Sequence, residues 1–77
     1  MLSRFPCVNL KKTGQNITKL MQENNLSVKD LQETFGFEYP QAIYKWLRGQ
    51  SLPSLDNLVV LAKLFHTFVD TILVIDE

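Results

Sequence analysis

The sequence predicts an all-α domain of about five short helices. Three observations carry this. Apolar residues recur at helical spacing in successive segments, Ser or Thr stands just before several of them, and Gly, Asn or His stands just after. The two ends of the chain carry apolar segments of a different kind, available for a short two-stranded β element.

Taken in order, residues 1–12 carry Phe5, Cys7, Val8 and Leu10 around Pro6 and read as an N-terminal arm or short strand, with the helical domain over residues 13–77. Thr13 offers an N-cap to a first helix whose Ile17, Leu20 and Met21 form an i, i+3, i+4 stripe. That helix should end near Asn24-Asn25, Asn being tolerant of the left-handed cap conformation. Residues 27–49 then read as two helices joined by a tight turn. Ser27 is a good N-cap, Asp30 at the third helical position complements the helix dipole, and Leu31 and Phe35 repeat at i, i+4. Gly36 stops this helix and Phe37 points back inward. The next helix can start around Tyr39, with Pro40 in its first turn where a missing N–H is harmless, and runs through QAIYKWLR to Gly49. After a loop at Gln50-Ser51-Leu52-Pro53, Ser54 caps a fourth helix with Leu55, Leu58, Val59, Ala62 and Phe65 as its core wall. His66, a residue type enriched at positive φ, follows as a structural cap. Residues 68–73 supply a fifth helix with Val69, Ile72 and Leu73 inward. The final Leu73-Val74-Ile75-Asp76-Glu77 suits a strand, since its aliphatics are partly β-branched. An isolated strand needs a partner, either residues 6–10 of the same chain or the equivalent segment of a second chain.

Composition narrows the function classes. A chain of 77 residues has room for one domain with a small core. Eight Lys and Arg balance eight Asp and Glu, so bulk electrostatics gives no push toward nucleic acid. The single Cys7 cannot form an internal disulfide, which fits a reducing, cytoplasmic setting. No stretch reads as a secretory signal or is long enough and apolar enough to span a bilayer, so no membrane association is expected. An enzyme is not expected: His66 has no evident nucleophile or second ligand beside it, Cys7 is not at a helix N-terminus, and the three glycines are scattered singly. No metal, cofactor or small-molecule substrate is indicated.

Gly36-Phe37, Ile43, Trp46, Gly49 and Leu52-Pro53-Ser54 form an ordered set that continues through DNLVVLAKLF and VDTIL, covering roughly residues 14–74. It resembles the helix-turn-helix of phage-repressor-like transcriptional regulators, the Cro and repressor or xenobiotic-response-element type. The resemblance implies a compact five-helix repressor-like DNA-binding domain, with the helix of about residues 39–48 lying in the major groove of double-stranded DNA. With Ile43 and Trp46 inward, Gln41, Ala42 and Lys45 turn outward together and Glu38 and Tyr39 stand at the leading end. The implied base contacts are then Gln41, able to bond adenine bidentately, Ala42 against a thymine methyl, Glu38 toward cytosine N4, and Tyr39. Lys45 and Arg48, with Lys29 and Tyr44, are the implied phosphate contacts. Without the motif around them, such side chains would read as plain solvated surface. One such domain reads few base pairs, so a two-fold homodimer on half-sites roughly 34 Å apart is expected. Ile72, Leu73, Val74 and Ile75 are the candidate dimer contacts.

Three features depart from the family pattern. Val28 stands where relatives commonly carry a phosphate-bonding Gln, and Gln32 where a small residue, usually Ala, lets the two motif helices approach. The stretch from Gly36 to Trp46 is about one residue longer than the commonest spacing. The zero net charge, Val28 and Gln32 favour a second reading: a protein-interaction module, antitoxin-like or a regulatory partner, that keeps the scaffold without using it on DNA.

Overall fold

Five helices and a two-stranded antiparallel sheet make up the computed structural model over residues 7–76, the described part of the chain. In order they are β1 (Cys7–Val8), α1 (Leu10–Glu23), α2 (Val28–Phe35), α3 (Gln41–Arg48), α4 (Leu55–Leu64), α5 (Val69–Ile72) and β2 (Ile75–Asp76). Phe5 and Pro6 of the N-terminal arm lie outside the described residues.

Local chemistry accounts for most boundaries. Ser27 and Asp30 form a reciprocal capping box: Ser27 Oγ accepts from the Asp30 amide at 3.1 Å, and Asp30 Oδ2 accepts from the Ser27 amide at 2.8 Å. Ser54 Oγ accepts from the Asn57 amide at 3.2 Å and starts α4. Helices α1 to α4 end alike. A left-handed residue, Asn25, Gly36, Gly49 or His66, lets the next amide reach back to the carbonyl five residues earlier: Leu26 to Met21, Phe37 to Gln32, Gln50 to Lys45, Thr67 to Ala62.

Two starts differ from expectation. The first helix begins at Leu10 and not after Thr13, because Asn9 Oδ1 accepts from the Lys12 amide at 2.8 Å and is the true N-cap. The third begins at Gln41, with Pro40 at the N-cap position rather than inside the first turn. Tyr39 precedes a proline, whose ring disfavours helical torsions in the residue before it.

The core is built by every helix: Ile17, Leu20 and Met21 of α1, Leu31 of α2, Ile43 and Trp46 of α3, Leu58, Leu61 and Ala62 of α4 with Phe65 after it, and Ile72 of α5. On α4 the expected wall is half right. Leu55 is 72% exposed and Val59 is also exposed, while Leu61, on the opposite flank, is fully buried. The helix is apolar on several sides, so spacing alone does not fix which side faces inward.

The chain ends pair with each other within one chain: Cys7 opposes Asp76 and Val8 opposes Ile75. Leu10, a candidate strand residue, is helical instead. A polar row on α1 fastens the same C-terminal segment. Asn9 donates its amide to the Val74 carbonyl and its Nδ2 to Asp76, Thr13 Oγ1 accepts from the Val74 amide at 2.9 Å, and Asn16 Nδ2 donates to the carbonyls of Thr71 and Ile72. Residues 9, 13 and 16 share one helical face, and their partners are the ends of α5 and the approach to β2.

Candidate nucleic-acid interface

Helix α3 is held by its inner face and displayed by its outer one. Ile43 and Trp46 are buried, whereas Gln41, Ala42, Tyr44, Lys45 and Arg48 are exposed. Trp46 meets Phe35 and Phe37 edge-on at 5.6 and 6.1 Å between ring centroids, and those two rings stack on each other at 5.1 Å. The three rings join α2, the turn and α3, which fixes the crossing of the two helices. On the other side α3 lies against α1 at close range. A Cβ on Gly14 would collide with the carbonyl of Trp46 and stand 2.6 Å from that of Leu47, so only glycine permits this approach.

The displayed face contains no carboxylate within α3, and Lys45 and Arg48 lie in its last turn, where the helix dipole favours cations. The Arg48 guanidinium sits 5.6 Å over the Tyr44 ring, so Tyr44 steadies Arg48 while remaining exposed. At the leading end Glu38 is exposed and Tyr39 is 64% exposed. Lys29 is exposed in the first turn of α2. Gln41, Ala42, Lys45 and the side chains at 38 and 39 are therefore all open to solvent from one helix and its approach.

The three departures from the family pattern have structural counterparts. Val28 is half-buried and packs on the core, so it presents no polar group at the start of α2. Gln32 is half-buried and its side-chain amide is tied into the turn. Its Nε2 donates to the carbonyls of Phe37 at 3.3 Å and Glu38 at 3.1 Å, bracing the lengthened turn that leads into α3. Asp30 is held by its cap: the Ser27 amide first, then the Ser27 hydroxyl, lower its carboxyl below the usual carboxylate range, with Lys29 adding to the effect.

The four tail residues are not equivalent. Ile72 is fully buried within its own chain and belongs to the core, Leu73 and Val74 are half-buried, and only Ile75 is exposed. Ile72 thus cannot meet a second chain while this fold is intact. Spacing could not separate the four, because the segment leaves the helix after Ile72, turns extended at Leu73 and enters β2 at Ile75.

Among the described residues no group of His, Cys, Asp and Glu is placed to hold a metal ion, and no helix is long and apolar enough to cross a membrane. Sequence reasoning overlooked Gln32 as a brace, Gly14 as the seat of α3, and the polar row of Asn9, Thr13 and Asn16. For Gly14, a glycine inside an apolar helical stripe was the available signal.

No curated protein sequence matches the chain significantly. Among solved structures it is similar to the crystal structure of the DNA-binding domain of BldD, with a TM-score of 0.70 at 19% identity, covering 86% of this chain and 94% of that one. That likeness concerns the fold. The helix-turn-helix family profile matches residues 17–67, from the middle of α1 to just past α4. This span includes the capped α2, the glycine turn and the displayed α3, and it occupies well over half of the sequence. By that match the chain belongs to the helix-turn-helix family of Cro and repressor type.

Proposed function

We propose that this domain binds double-stranded DNA in a sequence-specific manner by inserting α3 into the major groove, and acts as a small transcriptional regulator. The observation that carries the reading is the outer face of α3. Small or amide side chains at Ala42 and Gln41 lead, cations at Lys45 and Arg48 follow, no carboxylate interrupts the helix, and the family match spans it. Gln41 reads adenine through N6 and N7, Ala42 lies against a thymine methyl, and Glu38 and Tyr39 meet bases at the leading edge. Lys45, Arg48, Lys29 and Tyr44 bond phosphates and set the register. A homodimer on half-sites about 34 Å apart supplies the remaining specificity, with Ile75 the exposed residue of the tail available to a second copy.

The test is selection from a pool of random duplex DNA at two salt concentrations, with the solution mass measured in the same buffers. Enrichment of a palindrome by a dimer is expected, and Gln41→Ala/Lys45→Ala should abolish it with folding intact. Failure to enrich any sequence would favour the second reading, a protein-interaction module. The packing of Val28 into the core supports that alternative, because a family phosphate contact is missing there.

A further inference from the structure

The first turn of α1 lies against the last turn of α3. A Cβ on Gly49 would stand 2.6 Å from the Cα of Lys11 and 2.9 Å from its amide nitrogen, so the backbone just after Arg48 touches the backbone of Lys11. Lys11, Lys12, Lys45 and Arg48, half of the eight cationic side chains, come from the two segments joined at this contact, and all four are exposed. Among the described residues none of them has a carboxylate within ion-pair distance; Lys19 with Glu23, at 3.9 Å, is the pair that forms. Asp76, which the fold brings to the start of α1, accepts from Asn9 Nδ2 at 2.9 Å instead. Helix α3 contains no acidic residue, and α1 contains Glu23 alone, at its far end.

Lys11 and Lys12 also stand where a helix least tolerates cations. The first turn carries the positive end of the dipole, and α1 has no acidic side chain there to offset it. The Asn9 cap is made to the Lys12 backbone amide, which any side chain but proline at position 12 would offer equally, so the cap does not call for a lysine there. Two cations set against the dipole, beside two more on α3, are unfavourable alone and favourable against a polyanion.

We propose that the DNA-facing surface continues from α3 onto the first turn of α1, where Lys11 and Lys12 join Arg48 on one stretch of phosphodiester backbone beside the groove that α3 enters. The proposal rests on the DNA-binding reading above. Contacts of this kind add affinity and salt dependence without reading sequence.

The experiment measures binding of the Lys11→Gln/Lys12→Gln double variant to a duplex selected by the native protein, across a range of salt concentrations. The slope of log affinity against log salt should become shallower by about 2, at about 0.9 per lysine, with the base preference unchanged. Thermal stability should hold or rise, since two cations leave the helix start. Lys19→Gln, about 12 Å along α1 from Lys11, is the control and should leave the slope as it is. An unchanged slope in the double variant, with native binding intact, overturns the proposal. So does an equal change per charge in Lys19→Gln, which would make net charge the cause. A native protein that selects no duplex at all would instead remove the DNA-binding reading itself, and this proposal with it.

Discussion

Asp30 shows how one side chain sets a helix start. Its carboxylate accepts from the Ser27 amide and hydroxyl at 2.8 and 2.9 Å, and both bonds favour the charged form. Because its pKa is lowered on folding, the stabilisation is present in full above the ordinary carboxylate pKa of about 4 and is lost as the pH falls through the lowered folded value. Asp30→Ala should therefore melt earlier than the native protein at neutral pH, and the gap should close in acid; a gap that persists undiminished to about pH 2 would assign the loss to something other than the charge. Gly14 is the second residue on which much depends. Alanine there is the better helix former, yet its Cβ would press on the Trp46 and Leu47 carbonyls. Gly14→Ala should cost about 1–3 kcal/mol in urea unfolding, because α1 and α3 must separate. Of these two, the capping box is legible from Ser27 and Asp30 three residues apart, whereas the clash at Gly14 involves carbonyls more than thirty positions away in the chain.

At the scale of elements, one device ends four helices in succession. The left-handed residue is glycine at 36 and 49 but Asn25 and His66 at the other two, with φ of 56° and 55°. A side chain at such an angle is strained by roughly 1–2 kcal/mol, of which part is returned because glycine has more freedom in the unfolded chain. Asn25→Gly and His66→Gly should each raise stability by up to about 1 kcal/mol, measured as the shift in urea midpoint at constant slope. These stops could be read from the sequence because each depends on one residue and its neighbours. The start of α3 could not be placed as well: a proline disfavours helical torsions in the residue before it, α3 begins only after Pro40, and the carbonyls at 37 and 38 are held by Gln32 from the preceding helix. The face of α4 was ambiguous for another reason, since Leu55, Val59 and Leu61 are all aliphatic and only the neighbours decide which is covered.

For the molecule as a whole, the closure of the chain ends depends on the polar row along α1. Thr13 is buried and its hydroxyl is the acceptor for the Val74 amide, so Thr13→Val keeps the shape and strands that amide. A loss of about 1–3 kcal/mol is expected, with faster hydrogen exchange at residues 74–76 before any change in α2 or α3. The charge of the molecule is likewise a matter of arrangement. A net charge of zero discouraged a nucleic-acid reading, but α3 has two cations and no acid, and the chain's carboxylates fall outside it. Net charge is a sum over the chain; the field a ligand meets is set by what lies on one face.

By itself the sequence determined the helical architecture, the turn between α2 and α3, the helix stops and the inward pair Ile43 and Trp46. Each of these follows from spacing and from cap chemistry within a few residues. Only the tertiary structure decided that the two ends pair within one chain, that Ile72 belongs to the core, that Gln32 braces the turn, and that Lys11 meets the end of α3. The physical reason is range: helical periodicity and capping act over three to five residues, whereas these contacts join positions brought together by packing, where any exposed amide, lysine or aliphatic looks the same until its neighbour is known.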